Sequence, residues 1–255
     1  MGPQHPSTHG VLRLVLELDG ETVVSVSPTI GFLHTGIEKT AEQKKWQQVI
    51  PLVERMDYLG AQSNSLAFCL SAETILGIQM PDRVSAIRVL IAELQRISSH
   101  LVWFGTHAME IGAVTGMLYA FNEREILMNL NELLAGFRFF PSYIRVGGLR
   151  EDIPRGFKEA VTAFLDRFPG KLDEFEQLIT KNPIWLDRTR GVGVISLEDC
   201  FKWGLFGPIA RAAGGDYDVR RAFPYLDYDT YDFDVVGASN GDVYDRYLVR
   251  VAEMR

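Results

Sequence analysis

The sequence predicts an α+β fold, mainly helical, with an N-terminal β-hairpin packed on a helical bundle. Three observations carry this expectation. Leu12, Leu14, Leu16 and Leu18 alternate with Arg13, Val15 and Glu17, the period-two signature of a half-buried strand. Val84, Ile87, Leu90, Ile91, Leu94, Ile97 and Leu101 recur at spacings of three and four, which places them on one stripe of a long helix. No internal repeat and no flexible linker divides the chain, so one domain over 1–255 is expected.

Taken in order, residues 1–10 form a loop, because Pro3 and Pro6 exclude a regular helix. Asp19-Gly20 is a tight-turn pair between Leu18 and the Val23, Val24, Val26 run, so 1–30 reads as a loop plus a hairpin. A helical bundle of about four main helices is expected over 31–181. It begins with a short polar-faced helix at 36–47 and a helix over 52–76 that Gly77 stops. Pro81-Asp82 then opens the long helix, and Gly112 separates it from another at about 114–137. Residues 145–154 read as a glycine-containing loop, followed by two shorter helices at 155–168 and 171–181 that Asn182-Pro183 ends. The remainder, 182–255, is expected to be irregular, with one helix near 197–204 and the start of a helix after Asp242. That last helix stops in mid-pattern, so the chain is expected to be truncated.

Composition narrows the function. The 255 residues carry 26 Lys plus Arg and 33 Asp plus Glu, a net charge of −7. Such a chain lacks the basic face that duplex nucleic acid requires, so no nucleic-acid partner is expected. Two cysteines, Cys69 and Cys200, are too few for a disulfide framework, a four-thiolate zinc site or an iron–sulfur site within the chain. They suit a reducing compartment. No apolar run approaches the ~18 residues of a membrane span, and the first residues lack the apolar core of a secretory signal.

Spacing alone singles out few candidates. His5 and His9 stand four apart, but the intervening Pro6 removes the helix that would make them a metal pair, and two loop histidines is the simpler reading. HExxH, GxSxG and P-loop motifs are absent from the sequence, and Arg190-Gly-Val-Gly-Val reads as a plain turn. Glu93 and His100 lie two turns apart on one helix face, where a salt-bridge pair is the default. Glu110 closes the long helix, where a carboxylate opposes the helix dipole; an exposed carboxylate is the bland alternative. Tyr58, three residues after Arg55, has the spacing of a core aromatic, and Glu123-Arg124-Glu125 that of a solvated face.

The motifs decide more. GPQHPSTHGVLRL (2–14), IGFLHTGIEK (30–39), RMDYL (55–59), ELQRISSHLVWFGT (93–106), YAFNERE (119–125), YIRVGGLREDIP (143–154) and YDVRRAFPY (217–225) occur in one order. Together they resemble the quinone-pocket subunit family of respiratory complex I, the proton-translocating NADH:quinone oxidoreductase, over essentially the whole chain. The resemblance implies a nickel–iron hydrogenase large-subunit-like fold without the two Cys-x-x-Cys pairs of a metal centre, and a family that continues past the position of Arg255. It implies an enzyme subunit that is inactive alone and reduces quinone, ubiquinone or menaquinone, only within the complex, with no metal or cluster of its own. The implied partners are the small iron–sulfur subunit carrying the terminal cluster, the adjacent peripheral-arm subunit and the membrane-arm subunit at the mouth of the quinone site. The implied location is peripheral, on the cytoplasmic side of the bacterial inner membrane.

Residue by residue, the resemblance makes His9 the donor to one quinone carbonyl and Tyr58 the donor to the other. It makes Glu110, where the family has Asp, the partner of that histidine, and Arg55 a cation near the neighbour's terminal cluster. An ion pair of Arg55 with Glu54 or Asp57 is the competing reading. Phe140 stands where many relatives carry a histidine, Gly116 where a Pro is common, and Asn122 where an Arg is common. The alternatives are a hydrogenase-related membrane complex using ferredoxin or a hydride donor, and a non-catalytic structural subunit of such a complex.

Overall fold

The computed structural model describes residue 2, residue 4 and residues 10–255. It is mostly helical with two small antiparallel sheets. The chain groups into two compact units, 1–49 and 50–255.

The first unit contains β1 (Arg13–Asp19) and β2 (Thr22–Thr29), paired antiparallel from Arg13↔Thr29 to Asp19↔Thr22. Gly20-Glu21 makes the two-residue turn, one residue later than the expected Asp19-Gly20 pair, because Asp19 itself pairs with Thr22. The register shifts between Glu17 and Leu18, a bulge that leaves Val24 without a directly opposed residue. The strands are not half-buried as alternation predicts: every position is exposed except Leu14. Alternation records which face is apolar, and cannot say whether the chain itself covers that face.

The helix expected at 36–47 is instead α1 (Ile37–Ala41) and the first part of α2 (Trp46–Val53). The Gln48 side chain accepts the Lys45 N–H at 3.0 Å and starts the second helix afresh. The helix expected over 52–76 is broken as well. Asp57 accepts the Leu59 N–H on its carboxylate at 3.0 Å, while its carbonyl accepts from Gly60 N and Asn64 Nδ2. This side-chain turn competes successfully with the helix, and α3 runs only from Ala61 to Leu76.

In the second unit, α4 (Asp82–Glu110) and α5 (Val114–Ala135) form as expected. They pack very closely where Gly116 faces Ala108: a Cβ on Gly116 would lie 2.9 Å from the Ala108 Cβ. That approach accounts for glycine at a position where the resemblance leads one to expect proline. Inside the expected loop 145–154, β3 (Ile144–Arg145) and β4 (Gly148–Leu149) pair around Val146-Gly147. Gly147 has φ +86, which a two-residue turn demands and which glycine supplies without strain.

The two helices expected at 155–168 and 171–181 are one, α6 (Phe157–Ile179), continuous through Pro169. Phe157, Val161, Phe164, Phe168, Leu172, Phe175 and Ile179 form one buried stripe across the proline. A mid-helix proline costs ~3 kcal/mol, and each large apolar side chain buried returns ~1.5–3 kcal/mol, so the stripe wins. Residues 182–255 are not mainly irregular. They hold α7 (Pro183–Thr189), α8 (Leu197–Trp203), α9 (Pro208–Ala212), α10 (Val219–Ala222), a 3-10 turn at Tyr228–Thr230, and α11 (Val243–Met254). Side-chain caps start four of these helices: Asn182, Ser196, Asp218 and Asp242 accept from first-turn amides. The core lies where α4, α5, α6 and α11 meet, around Leu101, Phe104, Leu127, Phe168 and Tyr247.

Candidate functional site

The turn 54–60 between α2 and α3 presents two of the expected site residues. Tyr58 lies in this turn and not on a helix, and half of it is open to solvent (50 %). It is therefore no core aromatic, and its hydroxyl makes no hydrogen bond to another described residue. Arg55 donates from Nη1 to the Pro51 carbonyl at 2.6 Å. Its guanidinium stands over the ring of Phe140, 4.5 Å from the centroid. That geometry is a cation–π contact, and it joins two positions the motifs single out separately. The ion pair considered for Arg55 does not form: Glu54 and Asp57 take other partners.

Glu54, which spacing does not pick out, is wholly buried. Oε1 accepts from Ser65 Oγ at 3.1 Å and from the Ser142 N–H at 2.7 Å. Oε2 accepts from Ser142 Oγ at 2.7 Å. The only hint in the sequence is that Glu54 adjoins RMDYL.

Glu110 ends α4 and is exposed, as its terminal position implies. His5 and His9 lie outside the described residues, and with His9 its expected pairing to Glu110. Among the described residues, no three His, Cys, Asp or Glu side chains gather as a metal site would require. Cys69 is buried, and that burial pushes its thiol up to about 12, far from the thiolate a metal ligand needs.

Glu93 and His100 do not pair with each other. Glu93 accepts from Arg96 at 2.8 Å, from Arg220 at 3.3 Å and from the Tyr228 hydroxyl at 2.6 Å. His100 Nε2 lies 2.7 Å from Glu253 Oε2. Arg211 also donates to Glu253, and Asp218 accepts from Arg220 at 2.7 Å. This buried ion cluster ties α4 to α9, α10 and α11. Glu123 likewise is not on a solvated face: it is buried and paired with Arg167 of α6 and with Asn122.

The cluster gives a pH prediction. Burial disfavours the Glu253 carboxylate, but the His100 hydrogen bond and the charges of His100 and Arg211 outweigh it and hold the pKa down at about 2 against an ordinary 4.5. A depressed folded pKa contributes stability that is present above 4.5 and lost as pH falls toward 2. Burial also holds His100 below its ordinary value, so the imidazole is neutral at neutral pH and its charge supports the Glu253 carboxylate only in acid. Acid unfolding followed by circular dichroism should therefore steepen below pH 4.5, and Glu253→Gln should flatten that limb. An unchanged acid limb in the variant would contradict the assignment.

Comparison with known proteins converges on one family. A family profile described as the respiratory-chain NADH dehydrogenase 49 Kd subunit matches residues 110–255. Over all 255 residues the chain is 55% identical to a D-type subunit of the NADH-quinone oxidoreductase of Roseiflexus sp. (strain RS-1), covering 61% of that protein. It is 54% identical over 255 residues to a D-type subunit of the same oxidoreductase in Chloroflexus aurantiacus, covering 62% of it. It is 53% identical over 255 residues to the D-type subunit of Citrifermentans bemidjiense, covering 66% of it. The chain thus spans roughly three fifths of the length of the curated relatives it matches.

Proposed function

The chain belongs to the 49 kDa-subunit family of respiratory-chain NADH dehydrogenases, and from that premise we propose that it is the quinone-binding peripheral-arm part of a proton-translocating NADH:quinone oxidoreductase. The observation that carries the reading within this chain is the turn that displays Arg55 over Phe140 with the Tyr58 phenol three residues on. Membership over the full 255 residues supports it.

A quinone has two carbonyl oxygens and takes up two protons on two-electron reduction. Tyr58 donates to one carbonyl and His9 to the other, stabilising negative charge as it develops. Glu110 partners His9 and favours its protonated form, with one methylene more than the Asp of the family pattern. Arg55 is the fixed cation beside the terminal iron–sulfur cluster of the neighbouring small subunit, and favours the reduced cluster. The quinone is ubiquinone or menaquinone, and this chain binds no metal of its own.

The partners are that small subunit, the adjacent peripheral-arm subunit and the membrane-arm subunit at the mouth of the quinone site. The location is the cytoplasmic face of the bacterial inner membrane, reached through the complex. No helix among the described residues is long and apolar enough to cross a membrane. A single hydrogenase-like domain over 1–255 completes the proposal. The absent Cys-x-x-Cys pairs disfavour the hydrogenase-related alternative.

Phe140 supplies the test. It takes the place of a histidine whose protonation would couple the cluster potential to pH, and a phenyl ring cannot titrate. The terminal-cluster potential in the assembled oxidoreductase should therefore depend weakly on pH. Phe140→His should introduce a slope approaching about 60 mV per pH unit for one proton per electron. Redox titration at several pH values measures both. A steep slope in the unmodified complex, or none in the variant, contradicts the proposed position of this turn beside the cluster.

A further inference from the structure

Arg55 and Phe140 come from chain segments eighty-five residues apart, and one carboxylate fastens both. Glu54 immediately precedes Arg55. It accepts both the backbone N–H and the hydroxyl of Ser142, each at 2.7 Å. Ser142 follows Phe140 by two residues, across a proline that has no N–H to offer. Ser142 also has φ +42, a backbone conformation that a non-glycine residue keeps only when its surroundings hold it there. The two hydrogen bonds to Glu54 are that hold. The remaining Glu54 bond, from Ser65 Oγ at 3.1 Å, fixes the carboxylate to α3.

We infer that Glu54 is a positioning residue that sets the Arg55–Phe140 contact, and so fixes where the Arg55 cation stands. Without the clamp, the segment 140–142 is free to relax from its strained backbone, and the ring moves from beneath the guanidinium. Among the described residues, the Arg55 guanidinium then keeps only its bond to the Pro51 carbonyl, which a long flexible side chain can keep from several rotamers. Glu54 touches no reacting atom in this scheme; it acts through Arg55. The inference rests on the proposed placement of Arg55 beside a redox centre for its functional consequence, but its geometric content does not.

The test uses the assembled oxidoreductase, with the terminal-cluster potential read by redox-poised electron paramagnetic resonance. Arg55→Ala is the reference and lowers the potential, because a fixed cation is lost. Ser142→Ala changes no charge, removes the hydroxyl bond to Glu54 and keeps a Cβ that makes φ +42 unfavourable, so the backbone relaxes; it lowers the potential in the same direction. Combined with Arg55→Ala it lowers the potential no further than Arg55→Ala alone. Glu54→Gln still accepts the Ser142 N–H and can donate to its hydroxyl. It stays at or above the parent, since the lost negative charge alone pushes the potential up.

Ser142→Ala at the parent potential while Arg55→Ala lowers it overturns the positioning role. Glu54→Gln falling with Ser142→Ala overturns it too, because its bonds to Ser142 would then not be what matters. Arg55→Ala at the parent potential removes the proposed placement of Arg55, a failure distinct from that of the clamp. The clamp itself is then read by the structure of the Ser142→Ala complex. A guanidinium still 4.5 Å from the Phe140 centroid overturns it, and a separated pair supports it.

Discussion

Replacing Glu73 with alanine should destabilise the protein by roughly 3–5 kcal/mol, the range for breaking a buried ion pair from one side. Glu73 of α3 receives two hydrogen bonds from Arg88 of α4, Nη1 to Oε2 at 2.8 Å and Nη2 to Oε1 at 2.6 Å. The Arg88 side chain is entirely buried, so the variant leaves a guanidinium in the interior without a counter-charge. The loss spreads. Arg88 Nη2 also donates to the Arg145 and Gly148 carbonyls at 2.8 and 2.9 Å. The Gly147 N–H donates to Glu73 Oε1 at 2.8 Å. The pair thus holds the β3–β4 hairpin on α3 and α4, and that hairpin leads the chain on from Ser142.

A domain of ordinary stability, ~5–15 kcal/mol, would lose a large share of it. Denaturant unfolding measures the cost, and hydrogen exchange at the Gly147 amide reports the local release. Removing both charges, as Glu73→Leu with Arg88→Met, should recover only part of the loss: an apolar pair of similar volume avoids the desolvation penalty, but the Arg145 and Gly148 carbonyls and the Gly147 N–H lose these partners. A Glu73→Ala variant within about 1 kcal/mol of the parent, a typical hydrogen-bond value, would show that the carboxylate contributes no more than a neutral acceptor.

How much of this is legible in the sequence depends on whether the determinant is local. The stripe from Val84 to Leu101 predicts α4, and the structure extends it from Asp82 to Glu110. Gly77 ends α3 in left-handed conformation, as a glycine after a periodic run implies; Gly136 ends α5 in the same way, inside the range expected to be helix. Local punctuation misleads where a tertiary term outweighs it. Pro169 reads as a break, yet the stripe from Phe157 to Ile179 has a core to fill on both sides of it. The Leu59 rhythm reads as helix, yet Asp57 closes a turn there.

Partnerships across the fold are invisible for a related reason. Glu93 and His100 share a helix face, but their partners Arg220 and Glu253 lie 127 and 153 residues away, and no spacing rule reaches that far. The motif YDVRRAFPY does contain Arg220, so the resemblance flags the segment without its role. The site is legible in the same mixed way. Motifs pick out Arg55, Tyr58 and Phe140 one by one. Only the folded chain puts Arg55 on Phe140 and Glu54 beneath both.

Tyr58→Phe should lower quinone reduction in the assembled oxidoreductase by about 10²–10³-fold, the range for losing one donor to a developing oxyanion, while leaving folding nearly untouched. The two halves of this prediction have separate physical grounds. The Tyr58 hydroxyl satisfies no described group, and the side chain is half exposed in a turn. Its removal therefore strands no buried partner, and a surface change of this kind stays within about 0.5 kcal/mol. The kinetic loss comes from charge. A carbonyl oxygen gains negative charge as electrons arrive, so a phenolic O–H donates more strongly to the transition state than to the bound quinone.

An interaction of that kind appears in kcat and kcat/KM together, with KM little changed. A variant that instead raised KM at constant kcat would make Tyr58 a contact for the ring alone. A variant with parental kinetics would remove it from the chemistry. Because the phenol bonds no other described residue and is half exposed, a kinetic loss with unchanged unfolding points to the chemistry and not to the scaffold. That separability is itself informative. Glu54, Glu73 and Arg88 hold the segments around the turn through buried bonds that folding requires. The Tyr58 hydroxyl stays at the surface and bonds no other described residue.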